Sequence, residues 1–237
     1  MLVIYFVLTF AWKFDKNCPT GYVGPGGLHD NKQYIYCTGG AAAKLDELIF
    51  SKKHIYKHFT AEELYDPEGE FGVSHDPEGL LGCTTSIVLT IIGLQIGKIM
   101  LAYEKVRDRL IRMLIWILSL SSIGTILAVT GAIPINKNLW SFTFICITGA
   151  VSIFVFGIFY LIIDHFKWWP RGTPFHYPGM NSILLYIGHS FTGSMLPFAF
   201  ISHSTTHFWF LFQNITGVTF WLLISVYLAK KNIFFTL

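Results

Sequence analysis

Residues 75–82 read HDPEGLLG, and they lead directly into the apolar run of residues 81–103, which decides the fold. Asp76 suits the N-cap of a helix because its side-chain oxygen accepts a free backbone N–H, and Pro77 suits the first helical position, where no N–H is needed. Glu78 in the first turn is favoured by the positive end of the helix dipole. The apolar run contains a single charged residue. It can cross the roughly 30 Å hydrocarbon layer at about 1.5 Å per residue, so the stretch predicts a membrane helix with carboxylates at its mouth.

The composition of the whole chain points the same way. Of its 237 residues, 53% are hydrophobic and only 13% are charged, and the mean hydropathy is +0.52. A typical soluble domain carries about 25% charged residues, so the missing charge indicates a lipid bilayer as the surrounding medium. The net charge of +3 is too small to favour a nucleic-acid partner, and no nucleic-acid-binding motif is visible.

Five apolar segments are long enough to span a membrane, since a spanning helix needs about 20 residues. They are residues 81–103, 110–133, 140–163, 180–201 and 209–229. The apolar residues 1–12 are too few for a span, and they lack the basic start and the cleavage site of a signal peptide. We therefore predict an all-α polytopic membrane helix bundle. Residues 1–12 are interpreted as the remnant of a transmembrane helix whose beginning is missing, residues 13–80 as a polar luminal loop region, and residues 81–237 as a five-span bundle.

The basic residues of the short connections predict the orientation, because cytosolic loops are enriched in Lys and Arg. They cluster after the first, third and fifth predicted spans: Lys105, Arg107, Arg109, Arg112, Lys167, Arg171, Lys230 and Lys231. The opposite side holds residues 13–80, 134–138 and 202–207, whose short loops carry fewer basic residues. We therefore expect these loops to face the lumen or exterior and the C-terminus to face the cytosol.

The polar loop region is rich in glycine and proline, with GYVGPGG at residues 21–27, and this density marks turns rather than a long helix. Short helices are predicted near residues 41–50 and 60–65. Cys18 and Cys37 lie in this region, where an oxidising compartment would favour a disulfide between them; free thiols are the alternative.

Four stretches carry a resemblance to a known family. They are CPTGYVGPGG at residues 18–27, DPEGLLG at 76–82, PINKNLWS at 134–141 and GTPFHYPGMNSI at 172–183. Together, and in this order, they resemble the heparan-alpha-glucosaminide N-acetyltransferases. The resemblance implies a lysosomal membrane enzyme that moves an acetyl group from cytosolic acetyl-CoA to the terminal glucosamine of heparan sulfate in the lumen.

The same resemblance implies that the enzymes of this family are longer than this chain. Members of this family have more spans, and their catalytic histidine lies in the N-terminal half, which has no counterpart here. The chain is therefore expected to represent the C-terminal part, with the lipid bilayer, an amino sugar and the missing N-terminal half as partners; a homo-oligomer stays open. The competing interpretations are a non-catalytic membrane scaffold or carrier and an inactive fragment.

Candidate sugar-binding residues precede two predicted membrane helices. Asp76 and Glu78 can attract an ammonium group and bind sugar hydroxyls, whereas helix capping explains both residues without a ligand. Asn136, Lys137 and Asn138 form an amide–ammonium–amide cluster that suits sugar or sulfate oxygens. The alternative for this cluster is a capped turn after a proline.

The candidate catalytic residue is His189, which lies near the middle of the fourth predicted span. Ionisable residues at that depth are rare and usually face an internal cavity. A neutral imidazole can act as a general base for the amine or as a transient acetyl acceptor; the alternative is a histidine bonded to a neighbouring helix. His203 and His207 have the i,i+4 spacing of a metal pair, but no third ligand is nearby, and no metal is expected.

Acetyl-CoA is the acetyl donor that the resemblance implies, and five residues on the predicted cytosolic side are candidates for binding it. They are Arg107, Arg109, Arg171, Tyr177 and Asn181. Arginine forks match phosphate oxygens. The alternative is that these basic residues bind no ligand, because cytosolic loops of membrane proteins are enriched in Lys and Arg.

Overall fold

The computed structural model describes residues 1–56, 62–66, 79–193 and 207–235. These residues form helices joined by turns, without a strand among them, so the all-α prediction is confirmed. The chain divides into two units, Met1–Ile158 and Phe159–Leu237, and each is described by itself.

The described residues hold nine α-helices. They are α1 (Leu2–Phe6), α2 (Gly40–Phe50), α3 (Glu62–Tyr65), α4 (Leu80–Ala102), α5 (Val106–Val129), α6 (Phe142–Tyr160), α7 (His176–Met180), α8 (Ser182–Thr192) and α9 (His207–Lys230). Wider π-helical turns extend α1 over Val7–Ala11 and α6 over Leu161–His165. Short 3-10 turns occur at His29–Lys32, Lys52–His54 and Pro170–Gly172.

Four helices are long and apolar enough to cross a membrane: α4, α5, α6 with its π-helical turn, and α9. They match the first, second, third and fifth predicted spans, so the prediction of a membrane helix bundle is confirmed. The fourth predicted span, residues 180–201, differs from the structure at its start. Helix α8 begins at Ser182, after a break at Asn181 (φ −130°, ψ 35°), and residues 194–201 lie outside the described part of the chain.

Helices α4, α5 and α6 pack around an apolar core in the first unit. Ile92 and Ile96 lie one turn apart on α4, and Met113 of α5 packs in the same buried cluster. Gly124 lets α5 approach α6 closely, because a Cβ there would lie 2.7 Å from Cγ1 of Ile147. In a bilayer, such contacts stabilise through close packing rather than through removal of apolar surface from water.

Helix α4 begins at Leu80, not at the predicted Pro77, and its N-cap residue is Gly79. The backbone N–H of Leu80 donates a hydrogen bond of 3.0 Å to Oδ1 of Asp46 in α2. Asp46 is only 1% exposed, and a Cβ at position 79 would collide with its carboxylate. The N-cap position is therefore Gly79 and not the predicted Asp76, which lies outside the described residues. A carboxylate 34 residues before Leu80 accepts the N–H of Leu80, because α2 packs on α4.

The apolar helix Leu2–Ala11 is shorter than a span, as predicted, and it packs within the first unit. Tyr5 is 1% exposed, and its hydroxyl accepts the backbone N–H of Phe142 at 3.3 Å. The carbonyl of Thr9 accepts the N–H of Gly21 at 2.9 Å. This helix thus connects the start of α6 with the glycine-rich segment.

The second unit contains α7, α8 and α9. A buried asparagine at the junction of α7 and α8 forms hydrogen bonds to the segment after α9. Asn181 is fully buried; its Nδ2 donates to the carbonyl of Ile233 at 3.1 Å, and its Oδ1 accepts the N–H of Phe235 at 2.9 Å. Gly188 of α8 lies against the ring of Trp221, since a Cβ there would be 2.5 Å from Cη2 of that ring.

Candidate functional site

A cavity of about 710 Å³ lies in the first unit, between the glycine-rich segment and the loop that joins α5 to α6. It is termed the loop cavity below. The polar side chains in its lining are Tyr22, His29, Tyr34, Thr38, Tyr65, Asn136, Lys137 and Asn138. Two of the four stretches that carry the family resemblance, residues 18–27 and 134–141, therefore meet at one site.

The glycine-rich wall of the loop cavity is fixed by local contacts. The hydroxyl of Tyr22 accepts the N–H of Gly26 at 2.9 Å. Gly26 has φ +69°, and a Cβ there would lie 2.8 Å from the backbone nitrogen of Thr38, so glycine is required. Cys18 and Cys37 are joined by a disulfide with sulfurs 2.06 Å apart, and both are buried beside Tyr22.

Asn136 joins the two walls of the loop cavity. Its Nδ2 donates a 3.0 Å hydrogen bond to the carbonyl of Val23, 113 residues earlier in the chain. Its Oδ1 accepts the backbone N–H groups of Asn138 at 3.0 Å and of Leu139 at 3.3 Å. Both ends of this amide are engaged by the backbone, so Asn136 builds the site rather than presenting its side chain to a ligand.

Basic and aromatic side chains in the lining of the loop cavity are the groups that could contact a ligand. Lys137 and His29 are exposed, and the His29 ring meets the edge of Tyr65 with centroids 5.8 Å apart. Tyr34 packs on the ring of Tyr22 at 5.2 Å. An ammonium group and an imidazole can bind sulfate or carboxylate oxygens. The sequence interpretation found Lys137 but missed His29, Tyr34 and Tyr65, because no local pattern shows that these residues face a loop more than 60 positions away.

A second cavity, of about 800 Å³, lies in the second unit between α8 and α9. It is termed the helix cavity below. Its lining is largely apolar and includes Phe175, Pro178, Leu185, Val218, Trp221 and Leu222. Three polar side chains, those of His189, Gln213 and Asn214, share this lining. The structure thus places the candidate catalytic histidine in a cavity with two side-chain amides.

The predicted donor-binding arginines of the first unit differ in their surroundings. Nε of Arg109 donates to the carbonyl of Tyr103, which follows the last residue of α4. The neighbouring Arg112 stacks its guanidinium carbon 3.6 Å from the centroid of the Tyr103 ring. Arg107 is exposed. Arg109 therefore helps to satisfy the end of α4, whereas Arg107 is accessible to a phosphate.

The predicted donor-binding residues of the second unit also have distinct settings. Arg171 is exposed in a tight turn with φ +61°. The ring of Tyr177 lies on that of His176, with centroids 3.9 Å apart. Asn181 uses its amide to hold residues 233 and 235. Of the three, Arg171 has the side chain most accessible to an anionic ligand.

Other predicted site residues fall outside the described part of the chain. These are Asp76, Glu78 and His203, while His207 is the first residue of α9. Within residues 1–56, 62–66, 79–193 and 207–235, no three His, Cys, Asp or Glu side chains are grouped so that they could hold a metal ion.

Comparison with curated proteins confirms the family resemblance. The chain is 40% identical to the heparan-alpha-glucosaminide N-acetyltransferase of Mus musculus over 237 aligned positions, which cover 98% of this chain and 35% of that protein. It is 41% identical to the Homo sapiens protein of the same name over 223 positions, which cover 92% of this chain and 33% of the relative. No protein-family model matches the chain.

The chain spans about a third of the length of the curated relatives that it matches. This share is consistent with the interpretation of the chain as the C-terminal part of such a protein. Both relatives are named N-acetyltransferases, and four helices of this chain are long and apolar enough to cross a membrane.

Proposed function

We propose that this chain is the C-terminal part of a lysosomal membrane enzyme that transfers an acetyl group from cytosolic acetyl-CoA to the terminal glucosamine amine of heparan sulfate in the lumen. The observation that carries the proposal is the loop cavity, because two family-like stretches that are far apart in sequence form it together. Similarity to two acetyltransferases over nearly the whole chain supports the same reaction class.

The sugar is assigned to the loop cavity. Lys137 is exposed at the cavity and supplies positive charge for the sulfate or carboxylate groups of an acidic saccharide, and the exposed His29 offers a ring N–H donor to the same groups. Asn136 holds the two walls at the right separation. Asp76 and Glu78 directly precede α4 in sequence, and their carboxylates are proposed to bind the ammonium form of the amine.

The chemistry requires a base. The free amine attacks the thioester carbonyl, a C–N bond forms, and the proton lost by nitrogen passes to a general base. The C–S bond then breaks, and the leaving thiolate takes up the proton from that base to give the thiol. His189 is the proposed base in this chain, since its imidazole lines the helix cavity and has a ring nitrogen that can take up the proton. The part of the enzyme that this chain does not match is proposed to supply a second histidine.

The donor is assigned to the cytosolic side, with the C-terminus on the same side. Arg107 and Arg171 are exposed and carry the forked donors that fit phosphate oxygens. Arg109, Tyr177 and Asn181 are proposed to shape this region, because their side chains already contact neighbouring backbone or rings.

The test is acetyl transfer from labelled acetyl-CoA, with membranes that carry this chain alone or together with the N-terminal two thirds of a relative. Two acceptors are compared, neutral glucosamine and a heparan-derived oligosaccharide with a terminal glucosamine. Lys137→Ala should raise KM about tenfold for the acidic acceptor and leave KM for the neutral one unchanged, because one charge-assisted contact is worth roughly 1.5 kcal/mol.

Lys53→Ala is the matched control, since Lys53 is an exposed lysine of the same polar region outside the loop cavity. An equal effect of the two substitutions would show that the loop cavity does not bind the acceptor. Absence of transfer with both acceptors, in well-folded protein supplied with the N-terminal part, would contradict the proposed function.

A further inference from the structure

A smaller cavity, of about 440 Å³, lies next to the loop cavity in the first unit. It is termed the lysine cavity below. The polar side chains in its lining are Lys13, Lys16, Asn17, Thr20 and Tyr34. Tyr34 also belongs to the lining of the loop cavity. The two cavities therefore share one aromatic side chain, and a single extended ligand that passes Tyr34 can occupy both.

The lysine cavity carries positive charge without a carboxylate in its lining. Lys13 and Lys16 are both exposed, and neither forms an ion pair with another residue in the described part of the chain. Asp15 lies between them in sequence, but its Oδ1 accepts the N–H of Asn17 at 2.8 Å, and its side chain lines a different cavity. Two ammonium groups are therefore available to an anionic ligand.

The loop that carries the two lysines is held in place at both ends. The N–H of Gly21 donates a hydrogen bond of 2.9 Å to the carbonyl of Thr9, so the chain returns to the helix that it left. Within the loop, Cys18 is joined to Cys37 by the disulfide, and both cysteines are buried. The backbone beneath the lysines is thus preformed, which lowers the cost of ordering it around a ligand.

The linings of the two cavities together define the chemistry of the ligand. Lys137 lies in the loop cavity, Lys13 and Lys16 lie in the lysine cavity, and Tyr34 lies between these cations. A compact anion would occupy only one of the two groups of cations, whereas a chain with anionic groups along its length matches both. The amide and hydroxyl groups of the lysine cavity suit sugar hydroxyls, and an aromatic ring suits the apolar face of a sugar. An acidic saccharide combines these features.

We propose that the lysine cavity binds the acidic sugars that follow the terminal glucosamine of the acceptor, with their sulfate or carboxylate groups at Lys13 and Lys16 and the saccharide chain passing Tyr34. The inference rests on the proposed function, because it extends the acceptor site beyond the loop cavity. The chain should therefore bind a sulfated oligosaccharide more tightly than a neutral one with the same terminal sugar.

The experiment measures binding to the full chain in phosphatidylcholine nanodiscs by isothermal titration. One probe is a sulfated heparan-derived tetrasaccharide with a terminal glucosamine, and the other is the same tetrasaccharide after desulfation and carboxyl reduction, which is neutral along its interior. The double variant Lys13→Gln/Lys16→Gln should weaken binding of the sulfated probe about tenfold, and each single substitution about threefold, because exposed charge contacts are individually modest. Binding of the neutral probe should not change.

The matched control is the double variant Lys32→Gln/Lys53→Gln. It removes the same total charge from two exposed lysines of the polar region that lie outside both cavities. The control should bind both probes as the parent does. Equal weakening by the two double variants would show a general effect of charge and would overturn the inference.

Two further outcomes would overturn the inference. Binding of two sulfated tetrasaccharides per chain would show that the lysine cavity and the loop cavity are separate sites rather than one path. Unchanged saccharide binding in Lys13→Gln/Lys16→Gln, together with weaker binding of soluble glycerophosphoserine, would make the lysine cavity a site for a lipid headgroup.

Acetyl transfer to neutral glucosamine separates this inference from the proposed function. Free glucosamine has no following sugar, so Lys13→Gln/Lys16→Gln should leave its KM unchanged. Transfer that persists while the lysine substitutions do not alter binding of the sulfated probe would overturn only the inference. Absence of transfer under the conditions given above would instead contradict the proposed function.

Discussion

The loop cavity and the helix cavity use the same side-chain chemistry in opposite ways. In the loop cavity, the Asn136 amide is engaged by three backbone groups, because the walls are irregular chain whose N–H and C=O groups need partners. In the helix cavity, α8 and α9 satisfy their own backbone, and the Asn214 amide lines the cavity. Asn136 thus stabilises the walls of a site that is made of loops, whereas Asn214 is available for binding in a site that is made of helices.

Among the substitutions that test this contrast, loss of the disulfide should have the largest effect on the free energy of unfolding. Replacement of Cys18 and Cys37 by serine should lower the free energy of unfolding of the first unit by about 3 kcal/mol, because a link across a separation of 19 residues restricts the unfolded chain. Urea unfolding followed by circular dichroism measures this. Cys83→Ser, which removes an exposed free thiol, is the control and should unfold as the parent does.

The contrast between the cavities would break if the double serine variant unfolded as the parent does. The loop cavity would then not depend on this cross-link, although both cysteines are buried beside Tyr22 in its wall.

Removal of the Asn136 amide should have the next largest effect. Asn136→Ala deletes three hydrogen bonds at about 0.5–1.5 kcal/mol each, so a loss of about 2 kcal/mol in unfolding free energy is expected. Lys137→Ala at the next position is the control, and it should change stability by less than about 0.5 kcal/mol while weakening the acidic acceptor. The reverse pattern, with a stable Asn136 variant that binds sugar poorly, would make Asn136 a ligand-binding residue.

The cap that α2 provides for α4 should have a smaller effect. Asp46→Ala removes the acceptor for the N–H of Leu80 and should cost about 1 kcal/mol, the usual effect of losing a helix cap. Asp46→Asn keeps an acceptor oxygen at nearly the same place and should retain much of that stability. Thermal unfolding of the two variants makes the comparison, and an equal loss in both would assign the effect to the charge of the carboxylate rather than to the hydrogen bond.

The smallest effect should be a pH dependence of stability that comes from an ion pair at the surface of α2. A hydrogen bond from Lys44 to Glu47 (2.9 Å), with a second contact from Lys52 (3.4 Å), lowers the pKa of the Glu47 carboxyl below its ordinary value of 4.5. Because the folded pKa is lower than the unfolded one, these contacts stabilise the fold above the unfolded value, and the stabilisation is lost as pH falls through the folded pKa. The effect is small because water screens exposed ion pairs.

Glu47→Gln tests this dependence. The parent should lose slightly more thermal stability than the variant between about pH 5 and pH 3, and the two should respond alike above that range. Parallel curves over the whole range would show that the Lys44 and Lys52 contacts do not contribute.

The sequence predicted those parts of the fold that depend on local pattern. The run of residues 81–103 became α4, Leu80–Ala102, and the helix predicted near residues 41–50 became α2, Gly40–Phe50, because length and apolar content decide such elements. The cap was predicted wrongly. Asp76 fits the local N-cap pattern, but the capping carboxylate belongs to Asp46, and only tertiary packing brings it to Leu80.

The candidate sites were less predictable, since their geometry depends on contacts across the chain. Nothing near Asn136 in sequence shows that its amide reaches Val23, and nothing near Asn181 shows that its amide holds Ile233. His189 was selected because its place near the middle of a predicted span can be read from its own segment of the sequence. The cavity that it lines also needs α9, and no pattern near His189 predicts that contact.

Gly79 and Asp46 cannot drift independently in evolution. A side chain at position 79 collides with the carboxylate at position 46, and a shorter residue at position 46 leaves the N–H of Leu80 without its acceptor. Each change is therefore harmful on its own, while a small residue at 46 makes room for a larger one at 79. The pair should show sign epistasis: the substitution at 79 is damaging in the present background and tolerated after the change at 46, so the order of mutations decides which sequences this fold can reach.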